Sequence, residues 1–344
     1  MNTLRELVCP ERTGPALAEA LDDDRWRELD VTMIAGGKSN LTFELVSPAG
    51  SVVLRRPPTG EVLPSAHDMG REARVQRALA GTAVPVPRVI LEDRTGDLLG
   101  VPCYVMEKVD GHVVRDALPR DYAPDPADRT AMADALIDVL ADLHRIDPES
   151  VGLGDYGRPA GFMARQLRRW RSQWDASKTH ELPALDELGA RLADAAPAAR
   201  RSTIVHGDFR LDNCLLDRRD PARVRAVLDW ELSTLGDPMA DLGMLLFYWR
   251  EPGEPEPLLT PAITRDEGFP GRRHLAERYA RRTGAQLTEL AFYEAFAHFK
   301  FAVIAQGVAA RAAAGAMAGQ TFGDLDGEVR RITAEGLAVL DRKG

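Results

Sequence analysis

Along the first hundred residues, short apolar runs recur at strand length. Leu29–Ile34, Leu41–Ser47 and Val52–Arg55 are rich in β-branched and apolar residues, with turn residues between them. Val89–Glu92 and Val101–Glu107 follow, joined by a turn at Thr95-Gly96. One amphipathic helix is predicted over Ala66–Ala80, stopped by Gly81 and by Val84-Pro-Val-Pro87. After Gly111 the period lengthens from two to between three and four. Ala131–Ile146 places Leu136, Val139, Leu140 and Leu143 on one face of a helix. Further helices are expected over Phe162–Trp174, Ala184–Ala195, Asp241–Trp249, Arg272–Arg282, Leu287–Ala314 and Asp324–Leu340. The expected fold is α+β and bilobal, with a small antiparallel sheet over residues 1–108 and a larger, mainly helical lobe over 109–344.

Composition narrows the class. A chain of 344 residues, 44% apolar, has ample core material for two domains, and a net charge of −9 argues against a general nucleic-acid binder. Cys9, Cys103 and Cys214 stand far apart, suggesting neither a disulfide framework nor zinc, and favour a reducing cytoplasm. Met1-Asn-Thr-Leu-Arg-Glu lacks the apolar core of a signal peptide. The Ala-rich stretch from Phe299 to Gly319 is interrupted by Lys300, Gln306 and Arg311, which reads as a packed helix and not a membrane span. Glu251-Pro-Gly-Glu-Pro-Glu-Pro257 reads as a surface loop.

The chemistry concentrates in Ile204-Val-His-Gly-Asp-Phe-Arg-Leu-Asp-Asn-Cys-Leu-Leu216 and, downstream, Ala226-Val-Leu-Asp-Trp-Glu231. Between apolar runs that suit short strands lies H-x-D-x-x-x-x-N, and an acid ends the next strand. This order and spacing resembles a kinase catalytic loop followed by its metal-binding aspartate. Phosphoryl transfer asks for a carboxylate to orient the attacking hydroxyl, plus an amide oxygen and a second carboxylate for Mg²⁺. Asp208, Asn213 and Asp229 fill those places. Asp and Asn are common in loops because they satisfy local backbone groups, and Gly207-Asp208 alone would also suit a metallophosphoesterase. The latter needs further histidine-rich elements, whereas the seven histidines here are scattered singly. His206 reads as an organiser of the loop.

Residues for a nucleotide lie in the first lobe. Gly36-Gly-Lys-Ser-Asn-Leu-Thr42 sits between two strands, where Gly36, Gly37, Ser39 and Asn40 would bring backbone amides close to phosphate oxygens; two glycines in a hairpin equally suit an ordinary turn. Val52-Val-Leu-Arg55 resembles the strand that carries the phosphate-holding lysine of protein kinases, with Arg in place of Lys. Alternation puts Val53 and Arg55 on one face, Val53 to cover adenine and Arg55 to reach phosphates, and turns Arg56 away. The five lysines, Lys38, Lys108, Lys178, Lys300 and Lys343, lie off that strand, and arginine is permanently charged and bidentate toward phosphate. Glu72, on the predicted helix, is the expected partner of Arg55.

Nearly the whole chain resembles the aminoglycoside phosphotransferase and choline kinase superfamily, most closely the group associated with acyl-CoA dehydrogenases. The resemblance rests on Val53-Leu-Arg-Arg-Pro-Pro58, Leu63-Pro-Ser-Ala-His-Asp68, Arg71-Glu72 and Tyr104-Val-Met-Glu107. It rests further on Arg165-Gln166 with Trp170, on the His206–Asn213 stretch and on Leu228-Asp-Trp-Glu-Leu-Ser-Thr-Leu-Gly-Asp-Pro238. It implies a bilobal kinase-like fold with ATP and Mg²⁺, a hinge at Glu107–Val109 whose backbone holds adenine, and Met106 lining the pocket. It also implies that Asp237 and Asp241 tie the following helix to the catalytic loop. Glu231 would either touch a second metal through water or serve structure alone.

Arg55 and Trp230 depart from the usual aminoglycoside-kinase pattern of a strand lysine and a glycine soon after the metal aspartate. In the family the helices around residues 158–178 line the acceptor site, and here they carry Arg165, Arg168, Arg169 and Arg171 with Trp170 and Trp174. Together with Arg210 this set suits an anionic acceptor such as a hydroxyacyl-CoA or hydroxy acid better than a polycation. Solvated arginines beside inward-packed indoles would give the same sequence. An aminoglycoside- or choline-type kinase and a nucleotide-binding regulatory pseudokinase are the alternatives. The second is disfavoured because Asp208, Asn213 and Asp229 are all present.

Overall fold

The computed structural model describes residues 2–34, 40–60, 67–198, 201–315 and 322–342. The expectations placed on Gly36, Gly37 and Ser39, and on residues 63–66, lie outside them. The chain divides into two compact units, Met1–Gly111 with Arg225–Ser233, and His112–Val224 with Thr234–Gly344. The break falls at Gly111 instead of 108, and residues 225–233, read from sequence as part of the helical lobe, belong to the first unit. Their backbone and side chains explain this: Val227 N–H donates to Pro85 O at 2.8 Å, and Asp229 accepts from Arg55.

The first unit opens with two helices that the sequence reading did not anticipate, α1 (Asn2–Val8) and α2 (Pro10–Leu21). Pro10 is tolerated at the first helical turn, where its missing N–H has no partner to lose. Strands β1 (Asp30–Met33), β2 (Leu41–Ser47), β3 (Gly50–Arg56), β4 (Val89–Asp93) and β5 (Cys103–Glu107) form one antiparallel sheet in the order β1-β2-β3-β5-β4. Its two faces follow the strand alternation. Phe43, Leu45, Val52, Leu54 and Val105 pack with Val8, Leu17, Trp26 and Leu29. The opposite face sets Val53, Tyr104 and Met106 against Met69 and Ala73 of helix α3 (Met69–Leu79). Full burial of each large apolar side chain contributes roughly 1.5–3 kcal/mol. The Asp68 carboxylate caps α3 by accepting the Arg71 N–H at 3.0 Å.

In the second unit, the two-residue strand β6 (His112–Val113) leads into helices α4 (Pro126–Arg145), α5 (Phe162–Ser177) and α6 (Pro183–Asp194). Strands β7 (Thr203–Val205) and β8 (Cys214–Leu216) follow, then β9 (Val224–Val227), which runs into the first unit's segment, and β10 (Thr234–Gly236). β7 pairs with β10, Ile204 opposite Leu235, and β6 with β8, His112 opposite Leu216. Helices α7 (Pro238–Tyr248), α8 (Arg272–Thr283), α9 (Leu290–Ala313) and α10 (Leu325–Leu340) complete the unit. α4 and α7 begin earlier than their apolar periodicity suggests, because each opens on a proline at the first helical position.

The core of this unit gathers Trp170, Trp174, Leu185, Leu188, Phe247, Phe299 and Ile332 around α9. Gly243 lets α7 approach α9 closely: a Cβ there would sit 2.5 Å from the Tyr293 carbonyl oxygen. A polar seam joins α4 to α8. His274 and Arg278 meet Asp134 at 2.6 and 2.8 Å, Arg278 meets Asp138 at 2.7 Å, and Arg282 meets Asp142 at 2.7 Å. Among the described residues no helix is long and apolar enough to cross a membrane.

Candidate functional site

The predicted residues fall into two groups, one in each unit. In the first, β3 holds Arg55 between Thr42 of β2 and Tyr104 of β5. Its side chain is buried, with Nε 3.2 Å from Glu72 Oε2 and Nη2 donating to Asp229 Oδ1 at 3.0 Å. Arg56 turns to the other face and donates Nη1 to Leu7 O at 2.9 Å. Burial works against the Arg55 cation, but Tyr104, Glu72 and Asp229 around it raise its pKa further above the ordinary arginine value.

Glu72 is 1% exposed and fully engaged. It accepts from Asn40 Nδ2 at 2.7 Å and from the Tyr104 hydroxyl at 3.0 Å, and that hydroxyl in turn accepts from Gln76 Nε2 at 2.9 Å. Burial raises its pKa, and the Arg55 charge offsets part of the rise. Asn40 reaches three ways: Nδ2 also meets Glu231 Oε2 at 3.2 Å, and Oδ1 lies 2.7 Å from His67 Nδ1. Its side chain, taken from sequence as part of a phosphate-covering turn, therefore braces Glu72 and Glu231. Asp229 stands in the left-handed region at φ 66°, ψ 62°, with its side chain about one-third exposed (35%). The next residue, Trp230, is buried and donates Nε1 to Val227 O at 3.0 Å. Val53 and Met106 are buried neighbours across β3 and β5, Glu107 is exposed at the end of β5, and Val109 is half-buried beyond it. Tyr104 and His67 stand in stretches that carry the family resemblance but were given no role there. The alternation of β5 puts Tyr104 on the Met106 face, a signal that could have found the first.

In the second unit the stretch from His206 to Asn213 turns between β7 and β8. Gly207 takes φ 85°, the conformation only glycine adopts at no steric cost. Beneath it, Asp241 of α7 is 1% exposed and accepts the backbone N–H groups of His206 and Gly207 at 2.6 and 2.8 Å. His144 Nε2 lies 3.3 Å away, its Nδ1 2.7 Å from the Tyr279 hydroxyl. Burial would raise the Asp241 pKa, yet His144, His206 and the Gly207 N–H prevail and hold it below the usual carboxylate value. Lys300 of α9, itself buried, donates Nζ to Gly207 O at 3.0 Å. Asp237 caps α7 through the Met239 N–H at 3.0 Å and accepts the Tyr293 hydroxyl at 2.7 Å.

The loop presents Asp208 with a defined set of donors. Asn213 Nδ2 spans the Asp208 carbonyl at 2.8 Å and Oδ2 at 3.2 Å, while the Tyr248 hydroxyl donates to Oδ1 at 2.8 Å. Arg210 Nε lies 3.3 Å from Asp208 Oδ2 and 3.2 Å from Asp212 Oδ1, and its guanidinium covers the Tyr248 ring at 4.9 Å. Arg210, expected from sequence to face an acceptor, is thus already set between two carboxylates. Asp212 is buried, which raises its pKa, with Arg210 and Arg115 opposing the rise. Arg210 and Tyr248 also line a mainly apolar recess with Val114, Leu245, Trp249 and Ile263. On α5, Trp170 and Trp174 point into the core, Arg168, Arg169 and Arg171 are exposed, and half-buried Arg165 donates to the carbonyls of Arg158 and Ala160. Arg169 and Lys300 approach the Trp170 ring at 5.5 and 5.6 Å.

A five-stranded antiparallel sheet crossed by one helix in the first unit, and a helical second unit carrying the H-G-D-x-x-x-x-N turn, define a kinase-like α+β fold. The chain belongs to the phosphotransferase enzyme family (APH), whose model matches residues 30–293. It is 39% identical over 295 residues to acyl-CoA dehydrogenase family member 11 of Rattus norvegicus, covering 82% of this chain and 36% of that protein. To the Homo sapiens protein of the same name it is 36% identical over 291 residues, covering 84% of this chain and 37% of that protein. It therefore spans well under half the length of these relatives. A crystal structure from Ralstonia eutropha, provisionally described as an aminoglycoside phosphotransferase, superposes with a TM-score of 0.78 at 36% identity, covering 91% of this chain and 92% of that one. Aminoglycoside phosphotransferase APH(4)-Ia, solved with ADP and hygromycin B, shares the fold at a TM-score of 0.57 and 17% identity, covering 94% and 98%.

Proposed function

We propose that this chain is an ATP- and Mg²⁺-dependent phosphotransferase that moves the γ-phosphate to a hydroxyl of an anionic acceptor, such as a hydroxyacyl-CoA or hydroxy acid. The observation that carries the reading is the Asp208 carboxylate, held by Asn213 and Tyr248 on a loop whose backbone is fixed from below by Asp241. Asp208 orients the acceptor hydroxyl for in-line attack and takes its proton late. Asn213 commits its Nδ2 to Asp208 and so offers Oδ1, and Asp229 offers a carboxylate; these are the hard oxygen donors that Mg²⁺ takes. When bound, the ion spreads the charge of the transferring phosphoryl group. Arg55, kept in place by Glu72, pairs with phosphate oxygens, and the backbone amides of Gly36, Gly37, Ser39 and Asn40 are assigned to the phosphates beside it. Met106, Val53 and the backbone from Glu107 to Val109 receive adenine.

The acceptor class rests on two supports. The exposed arginines of α5 suit phosphate or carboxylate groups and oppose polycations, and the relatives bear names tied to acyl-CoA chemistry. Of the residues expected on that side, we assign Arg169, which is exposed; Trp170 packs into the core and Arg165 is engaged by the carbonyls of Arg158 and Ala160, as the alternative of inward-packed indoles would have it.

Two substitutions separate the roles. Asp208→Asn is expected to keep Mg-ATP binding and lose turnover by about 10²–10⁴, the usual worth of a general acid–base group. Asp229→Asn is expected to weaken nucleotide binding only when Mg²⁺ is present. Calorimetry with ATP, with and without Mg²⁺, reads both, and normal Mg-ATP binding and turnover in both variants would remove the kinase assignment. ATP consumption with 3- and 4-hydroxyacyl-CoAs, beside kanamycin and choline, tests the acceptor; turnover confined to kanamycin or choline would overturn the anionic class.

A further inference from the structure

Tyr248 ends α7 in an apolar run, Met244-Leu-Leu-Phe-Tyr-Trp249, whose other members are buried. Its ring packs edge-on to Phe247 and Phe301 at 5.4 and 5.9 Å, and the Arg210 guanidinium lies over it at 4.9 Å. A tyrosine confined on these sides has little rotamer freedom, so its hydroxyl position is set by the fold. That hydroxyl donates to Asp208 Oδ1 at 2.8 Å. On the other oxygen, Asn213 Nδ2 donates at 3.2 Å and Arg210 Nε stands at 3.3 Å. A carboxylate has about four lone-pair positions. With a donor on each oxygen, rotation about the Cβ–Cγ bond is blocked and the remaining directions are fixed. Burial, and the Asp208 charge beside it, keep the Tyr248 phenol protonated and therefore a donor.

We infer that Tyr248 is a positioning residue for Asp208: its hydroxyl fixes Oδ1 so that one lone pair of the carboxylate meets the acceptor hydroxyl. The inference rests on the kinase reading of Asp208.

Tyr248→Phe removes the hydroxyl and leaves the ring. With the hydroxyacyl-CoA of the panel that gives the highest turnover, kcat is expected to fall about tenfold to a hundredfold, the cost of a misaligned reacting group, while the KM for ATP and the melting temperature stay close to wild type. In the Asp208→Asn background the same change is expected to cost nothing further, because the effect passes through the carboxylate. Unchanged kcat in Tyr248→Phe, alongside a strongly impaired Asp208→Asn, would overturn the role of Tyr248 and leave the kinase reading standing. An equal further loss in the double variant would show that Tyr248 acts apart from Asp208, and would overturn it too. Full turnover by Asp208→Asn, or no ATP turnover by the wild type on any acceptor, would remove the kinase reading and this inference with it.

Discussion

Glu72 and Asp241 are both 1% exposed, yet their surroundings push their protonation in opposite directions. Glu72 is met by side chains: the Arg55 guanidinium on β3, the Asn40 amide just before β2 and the Tyr104 phenol on β5. Asp241 is met by two backbone N–H groups at the start of the catalytic loop and by His144. His144 lowers the Asp241 pKa most, His206 and the Gly207 N–H add to it, and together they outweigh burial; the main-chain donors, for their part, cannot turn away. Glu72 has the Arg55 charge beside it but also Asp229 and Asp68 nearby, and keeps part of its burial penalty. The first arrangement can be remade when a ligand arrives; the second is a fixture on which a loop is built.

The largest effect should come from breaking the fixture. Asp241→Asn puts an amide where two N–H donors converge, so one donor must face another. Loss of about 3–5 kcal/mol is expected, the range for removing one partner of a buried ionic site, read as a drop in the urea midpoint with an unchanged slope. A loss below ~1 kcal/mol would contradict the picture of a loop built on Asp241.

Glu72→Gln should cost far less, about 1 kcal/mol at neutral pH, because Arg55 keeps its second partner Asp229. The visible effect belongs to catalysis, as a raised KM for ATP. Arg55→Ala should raise KM and lower kcat together, whereas Arg56→Ala, which breaks a bond to Leu7 O, should affect stability alone. The reverse ranking would mean that the strand register is off by one.

A subtler test lies in pH. Glu72 has a raised folded pKa, so its contribution to stability is present below its unfolded value, about 4.3, and is lost as pH rises through the folded value. Asp241 has a lowered folded pKa; its contribution is present above its unfolded value, about 3.9, and is lost as pH falls through the folded value. Melting curves from pH 3 to 8 should therefore show Glu72→Gln improving relative to wild type as pH rises, and the deficit of Asp241→Asn shrinking as pH falls. Curves of the same slope would erase the contrast. The smallest effect is expected from the half-exposed seam of α4 and α8, where Arg278→Ala should cost about 1 kcal/mol or less, with 1 M salt masking much of it.

How much of this was legible beforehand depends on whether the determinants are local. The pairing of Arg55 with Glu72 followed from strand alternation and one amphipathic helix, and the face assignment of Arg56 followed with it. The side chain of Asn40 was hidden because a loop residue carries no periodicity, and its partners Glu72 and Glu231 are 32 and 191 positions away. Tyr248 was hidden for the opposite reason: inside an apolar helical run it reads as core. Helices α1 and α2 escaped because Pro10 and Pro15 read as breakers. The affiliation of residues 225–233 with the first unit came from tertiary contacts that no local pattern carries.

The left-handed backbone at Asp229 narrows the paths open to this protein over evolutionary time. At φ 66° most side chains are strained by roughly 1–2 kcal/mol, and glycine, asparagine and aspartate are the residues that enter the region readily. Of those three only aspartate carries a charge. A lineage cannot drift here through glutamate and back, as it can at many carboxylate positions, without first unsettling the turn. Descendants that abandon the charge have two easy exits, asparagine and glycine, each preserving the backbone. An asparagine or glycine at this position in a related chain would accordingly mark a molecule that kept its shape after its chemistry was given up.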